Sequence, residues 1–496
     1  MQPIYVLIVI VAYLGMLMFI SYLTSRKGTN NDAFFRANRS SKWYVVAFGM
    51  IGTSISGVTF ISVPGWVSTI DMTYMQMVLG FFSGYMVIAY VLLPLYYRLN
   101  LTTIYGYLDT RFGSKSYKTG AWFFLLSKIV GAAARLYLVA FILQSLVFNA
   151  LGVPFIITVI GIILIIWLYS FKSGIKTIIW TDWLQTLLFI TALVLIVWQL
   201  ATQMGLDFGG IVSAVKESPH SRIFEFDSWS STQNFFKQFF SGMFITIVMT
   251  GLDQDQMQKN LTCKNLKDAQ KNVISYGFAF VPMNFLFLSL GVLLLLFAQQ
   301  NNIMLPEVAD QILPMLASEH MGPTVLGIFI VGIVAAAFSS ADSALASLTT
   351  SYCVDILGMK SSNGSEELEK KNIRTRRITH VVISAVFIVL IMIIHAIGSD
   401  SIINVIYRMA SYTYGPLLGL YIAGLYTKLK PMDKLVPYIA IAAPILCYGL
   451  EVLMMHVYNY KMGYEMLLIN GGLTVLGLWI ISLRNNNNAP SPTSRV

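Results

Sequence analysis

Runs of about twenty apolar residues recur along almost the whole chain, the length a helix needs to cross a bilayer core of about 30 Å. Thirteen can be counted, near 4–23, 43–68, 72–97, 117–149, 154–171, 177–202, 235–256, 272–298, 322–357, 374–396, 401–427, 435–457 and 463–483. They leave no room for a soluble domain. Charged residues are 11 % of the chain and hydrophobic ones 56 %, whereas soluble domains hold about 25 % charged residues. Barrel strands would alternate apolar and polar residues, and these runs do not. The expectation is an all-α polytopic membrane protein of about 13 transmembrane helices. One transmembrane domain covers 1–483, and the Asn-, Pro- and Ser-rich tail 484–496 is expected to be disordered and cytoplasmic. The inner loop 358–373 is polar and expected to be mobile. No charged segment precedes the first run, so it reads as a retained helix rather than a signal peptide.

The net charge of +10 invites a nucleic-acid reading, but its distribution argues otherwise. With the N-terminus outside, 26 of the 33 Lys and Arg fall on inner loops. These are Arg26 to Lys42, Arg98 to Lys118, Lys172, Lys176, Lys259 to Lys271, Lys360 to Arg377, Lys428 to Lys434, Arg484 and Arg495. Only Lys216, Arg222, Lys237 and Lys461 fall outside, and Lys128, Arg135 and Arg408 lie within spans. That asymmetry is the positive-inside rule. The basic balance records topology, and no nucleic-acid partner is expected. The partner is the lipid bilayer, in a multi-pass plasma (inner) membrane arrangement with the C-terminus cytoplasmic. Cys263, Cys353 and Cys447 fall at inner loops or within spans, so no disulfide framework is expected.

Asp342 sits in the middle of the run 322–357. A carboxylate at bilayer depth costs about 2.5–3.5 kcal/mol on insertion scales, so it requires a partner or a purpose. Ala336, Ser339, Ser340, Asp342 and Ser343 fall on one broad helix face. Serines in membranes more often serve close helix packing, but packing requires no carboxylate. Hydroxyls, carbonyls and a carboxylate together suit a hard cation, and the face reads as half of an alkali-ion site. Asp182 begins the run 177–202. It reads either as an interfacial acid favoured by a helix N-terminus or as a second contributor at similar depth.

Two runs look breakable. Gly52-Thr53-Ser54-Ile55-Ser56-Gly57-Val58-Thr59 packs two glycines, two serines and two threonines into eight residues. In the seventh run Ser241-Gly242 and Thr250-Gly251 bracket Thr246. Backbone that leaves the helix at membrane depth survives where it lines a cavity, and there its freed carbonyls bind cations and its N–H groups anions. Thr246 is therefore a candidate solute contact. Lys128 and Arg135 lie on one face of the fourth span. Snorkelling, a structural ion pair and recognition of a solute carboxylate all remain open for them. Arg408 reads as structural. Tyr74 and Gln76 are candidate solute contacts, with interface anchoring as the ordinary alternative for the aromatic. No HExxH, Walker or GxSxG motif appears, and an enzyme is not expected.

Four stretches, in this order and spacing, give the chain a resemblance to the sodium/solute symporter family from about residue 5 to 480. They are Gly52-Thr53-Ser54-Ile55-Ser56 with Thr59-Phe60 and Pro64; Trp180-Thr181-Asp182 with Gln185; Asp253-Gln254-Asp255-Gln256-Met257-Gln258-Lys259; and Ser339-Ser340-Ala341-Asp342-Ser343. The resemblance implies a LeuT-type core with inverted repeats over about 43–202 and 235–427. It implies a main Na+ site of carbonyls at Gly52, Ile55 and Ala336 and hydroxyls at Ser339 and Ser340. It implies, for some members, a second Na+ near Asp182, Asp342 and Ser343, and solute contacts at Ser56 and Thr59. Many members carry serine where this chain has Asp342, which leaves a stronger second site, a proton link and an Asp–Lys pair all open.

The function expected is sodium-coupled import of a small polar organic solute by alternating access. Lys128 and Arg135 tilt the solute toward an anion or a zwitterion. The alternative is a ligand-binding membrane sensor or channel on the same fold without coupled transport.

Overall fold

The computed structural model describes residues 3–25, 34–35, 37–170, 174–229, 231–359, 366–397, 402–460 and 462–487. Arg26, Lys27, Arg36, Lys172, Lys360, Lys461 and Arg495 lie outside the described residues, as do 360–365 of the expected loop and 488–496 of the expected tail. Among the described residues every expected apolar run is helical. Eight helices are long and apolar enough to cross a membrane, or ten if each of two bent pairs is one span. Three further runs form the helices Pro3–Ser25, Phe155–Ser170 and Ile402–Tyr426.

In chain order the helices that matter here are α1 (Pro3–Ser25), α2 (Trp43–Ser54), α3 (Gly57–Ile70), α4 (Tyr74–Arg98), α5 (Ser114–Leu151), α6 (Phe155–Ser170), α7 (Ile175–Gln203), α8 (Phe235–Gly251), α9 (Gln254–Asn260), α10 (Leu266–Gln300), α11 (Gly322–Ile356), α12 (Glu366–Ile397), α13 (Ile402–Tyr426), α14 (Val436–Tyr458) and α15 (Met466–Asn487). α12 begins at Glu366 and α15 runs to Asn487. The expected loop therefore ends before Glu366, and the first four residues of the expected disordered tail are helical. The Glu-rich start of α12 suits the positive end of a helix dipole.

α2, α7 and α11 pack against one another, with α10 against α2 and α3. α11 is the most enclosed long helix, and every residue from Gly332 to Ser351 is buried. α4 packs along α8 at backbone distance. A Cβ on Gly80 would stand 2.0 Å from the Phe239 carbonyl oxygen, and one on Gly242 would stand 2.2 Å from that of Met77. In lipid, where there is no hydrophobic drive between helices, such small residues permit the close approach that holds a pair together. α13 packs on α5 and α15. The three cysteines are free and buried.

Candidate functional site

Two helices break inside the bundle. α2 and α3 meet at 57° across Ile55 and Ser56, and α8 and α9 meet at 68° across Leu252 and Asp253. Ile55 (φ −85°, ψ 85°) still donates its N–H to Ile51, but Ser56 is extended (φ −73°, ψ 169°). A helix end leaves its last four carbonyls without a following turn. At this break those are the carbonyls of Gly52 to Ile55. One is taken up from across the bundle: the Ser340 hydroxyl on α11 is 3.3 Å from the Thr53 carbonyl oxygen and 3.2 Å from that of Ala336. Gly52 lets α7 close on the break. Its N–H donates to Thr186 Oγ1 at 3.1 Å, and a Cβ there would sit 2.1 Å from the same oxygen.

Asp182 of α7 reaches the same point. Ser339 donates to Asp182 Oδ1 at 2.6 Å, and Thr53 Oγ1 is 3.2 Å from both Asp182 Oδ2 and Ser339 Oγ. Lys259 of α9 completes the cluster, with its ammonium 2.6 Å from Asp182 Oδ2 and 2.5 Å from Thr53 Oγ1. Lys259, expected in an inner loop, is instead 1 % exposed. The Asp–Lys pair exists, but it is made by Asp182 and not by Asp342.

Asp342 is wholly buried and takes a hydrogen bond from the Tyr169 hydroxyl at 2.8 Å and one from Ser343 at 3.2 Å. Among the described residues it has no ion-pair partner. Carbonyls, hydroxyls and carboxylates are the donors a hard alkali cation takes. The set formed by Gly52, Ile55, Ala336, Ser339 and Ser340 has that character, and beside it Asp182 stands on α7 while Asp342 and Ser343 stand on α11.

Between the two breaks lies a cavity of about 100 Å³. Ser56 and Thr59 line it from the first break, Thr246 and Thr250 from α8, and Arg135 from α5. Tyr85, Phe81 and Phe280 add aromatic walls. Lys128 also borders it, but its ammonium is committed, lying 2.6 Å from Asp255 and 3.2 Å from Asp253. Tyr414 donates to Asp253 at 2.5 Å. The structure thus separates the two cations that the sequence left equal: Lys128 is in a structural ion pair, and Arg135 faces the cavity without a carboxylate partner among the described residues.

Two expected solute contacts are not in this cavity. Tyr74 packs edge-on against Trp66 (centroids 5.2 Å apart) and borders a separate space of about 500 Å³ with Arg408 and Glu451. Gln76 is fully buried and pins the segment before α8: its amide donates to Gln233 O at 2.9 Å and accepts from Glu225 N at 3.0 Å. A polar side chain one turn into a span is satisfied by the nearest connecting segment, which local sequence does not reveal. Arg408, expected to be structural, pairs with Glu451 at 2.8 Å. Sequence reasoning missed Thr53 and Lys259 as members of the cluster. Thr53 was visible only as part of the break, and Lys259 looked like one more cation in a polar stretch.

The family model for sodium:solute symporters matches residues 34–430. Over 430 residues the chain is 27 % identical to the sodium/sialic acid symporter NanT of Aliivibrio fischeri, covering 85 % of this chain and 83 % of that one. Over 427 residues it is 23 % identical to the sodium/sialic acid symporter SiaT of Proteus mirabilis, covering 85 % and 84 %. A solved substrate-bound, outward-open state of a Na+-coupled sialic acid symporter superposes with a TM-score of 0.82 at 22 % identity, covering 97 % of this chain and 98 % of that one. The nucleobase–cation symporter Mhp1, closed around bromovinylhydantoin, superposes at 0.56 with 13 % identity over 94 % and 96 %. The fold is that of the LeuT-type carriers, all-α and built on broken helices. The chain belongs to the sodium:solute symporter family. It is a membrane transporter that couples movement of a small solute to Na+, and not an enzyme.

Proposed function

We propose that the chain imports a small carboxylate-bearing polar solute together with Na+ across the cell membrane. The observation that carries this reading is Arg135, a guanidinium facing the cavity between two broken helices with no carboxylate partner among the described residues. A guanidinium fork is the strongest bidentate partner for a carboxylate. Ser56, Thr59 and Thr246 supply hydroxyls for the rest of the solute. The N–H groups that open α3 add a second attraction for negative charge. The sialic acids named for two relatives are anions of this kind. Drug-sized ligands take cavities of about 300–1,000 Å³. A cavity of about 100 Å³ is a constricted form, and a sugar-sized acid enters once the flanking helices part.

In this reading Na+ is cargo and lies where Gly52, Ile55 and Ala336 offer carbonyls and Ser339 and Ser340 offer hydroxyls. Asp182, Asp342 and Ser343 form a second cation-attracting group. Na+ joins the first break to α11, and solute joins the first break to α8 and α5. Repeats over about 43–202 and 235–427, each opening on a bent helix, would enclose the shared site between them. The partition of Lys and Arg favours an outside N-terminus and a cytoplasmic C-terminus. One Na+ crossing ~100 mV yields ~2.3 kcal/mol, and a tenfold Na+ gradient adds ~1.4 kcal/mol. Together they sustain several-hundred-fold accumulation per ion. The test is uptake of labelled carboxylated sugars and amino acids into proteoliposomes. Accumulation that ignores an imposed Na+ gradient, or a preference for neutral solutes, rejects the reading.

A further inference from the structure

Lys259 places a full positive charge among the oxygen atoms that face the Na+ cage. Its ammonium is 2.5 Å from Thr53 Oγ1 and 2.6 Å from Asp182 Oδ2, in a site where Thr53, Asp182 and Lys259 are each less than 5 % exposed. Ser339, one of the proposed Na+ ligands, spends its hydroxyl proton on the other oxygen of the same carboxylate, 2.6 Å away. Thr53 gives its carbonyl to Ser340 on one side and its hydroxyl to Lys259 on the other. The ammonium therefore holds a threonine set between Gly52 and Ile55, two of the proposed carbonyl donors.

We infer that Lys259 is a tethered cation that competes with Na+: it occupies the oxygens of Thr53 and Asp182 when the cage is empty and withdraws as Na+ loads. This rests on the sodium cage proposed above. A bare like charge this close opposes Na+ strongly at low dielectric, and burial without a carboxylate would leave the ammonium without compensation. Lys259 in its Asp182 pair solves both problems in the empty state. It is carried on α9, directly after the second break, whereas Thr53 lies in the last turn of the helix before the first break. Withdrawal of the ammonium thus transmits Na+ occupancy at one bent helix to the other, and the coupling is reciprocal. It also gives Na+ a defined opponent, so that the ion is released when α9 returns.

The experiment uses the purified full chain in detergent and Na+ alone. Thermal unfolding is followed against NaCl, with choline chloride holding ionic strength constant. Wild type gives a saturable stabilisation, and its absence rejects the sodium cage itself rather than the role of Lys259. Lys259→Gln lowers the half-saturating Na+ concentration about tenfold or more, because the competing charge is gone. Lys259→Arg, which keeps the charge, stays near wild type. An unchanged or raised value in Lys259→Gln overturns the inference. Should Lys259→Gln not fold, the pair Asp182→Asn and Asp182→Asn/Lys259→Met answers the same question. Asp182→Asn alone leaves the ammonium in place and weakens Na+ binding, and the double substitution restores part of it. Equal Na+ dependence in those two proteins overturns the inference as surely.

Discussion

The hydroxyl of Ser340 stands 3.3 Å from the carbonyl oxygen of Thr53, a residue 287 positions earlier in the chain. That contact ties the long helix α11, at its buried stretch, to the point where the first bent helix opens. It sets two oxygens from distant segments side by side, which is the arrangement a dehydrated alkali cation requires.

Ser340→Ala removes one of those oxygens without altering the volume of the core much. The half-saturating Na+ concentration for uptake should rise about ten- to a hundredfold, since a bond to a charged partner is worth about 1.5–3 kcal/mol. Thermal unfolding without Na+ should stay close to that of wild type. Uptake kinetics in proteoliposomes across a Na+ series measures this.

Arg135→Gln should spoil solute binding and spare Na+ binding. Truncating one partner of a charged pair costs about 2 kcal/mol or more, roughly thirtyfold in apparent affinity. The KM for a carboxylated solute should rise by that factor, while the Na+-dependent thermal stabilisation persists.

Lys128→Met is a stability change, not a specificity change. It leaves the carboxylates of Asp253 and Asp255, each 2 % exposed, without their cation. Breaking a buried pair in this way costs about 3–5 kcal/mol. Adding Asp253→Asn and Asp255→Asn should restore most of the lost stability in a detergent melting curve.

Gln76→Leu separates two roles that sequence alone confuses. If the side chain fastens the segment before α8, as its bonds to Gln233 and Glu225 indicate, KM stays unchanged and limited proteolysis within 204–234 accelerates. A changed KM with unaltered proteolysis would return Gln76 to the solute site.

Gly242→Ala should destabilise by about 1–3 kcal/mol through overpacking, because the new Cβ would meet the Met77 backbone at 2.2 Å. Gly449→Ala, where nothing lies within 4 Å of the added carbon, should be neutral or slightly stabilising. Comparing the two melting temperatures isolates the contact from the generic effect of replacing a helical glycine.

The chain's helices could be read from the sequence because hydrophobic runs report their own length and need no partner to do so. The first break was also visible, since small hydroxylated residues and glycines cluster where helical backbone is abandoned, whereas the second falls at Leu252 and Asp253, just past the stretch around Thr246 that looked breakable. Asp182, Asp342 and the serines announced themselves by being polar at the wrong depth. What stayed hidden was pairing. Lys259 meets Asp182 across 77 residues and Lys128 meets Asp253 across 125. No periodicity records which of several buried acids a given lysine finds. Gln76 stands outside the cavity for a like reason, because its partners Gln233 and Glu225 lie on a connecting segment whose path is set by the assembled bundle.

The glycine seam between α4 and α8 bears on how the carrier moves. Peptide groups meeting at Gly80, Gly84 and Gly242 leave no side-chain cushion that could compress or slide. Parting these two helices would strip backbone contacts that lipid cannot replace, so they travel as a single rigid lever. The joint that opens and closes the route for solute lies elsewhere, and the two bent helices are the flexible points left to serve it.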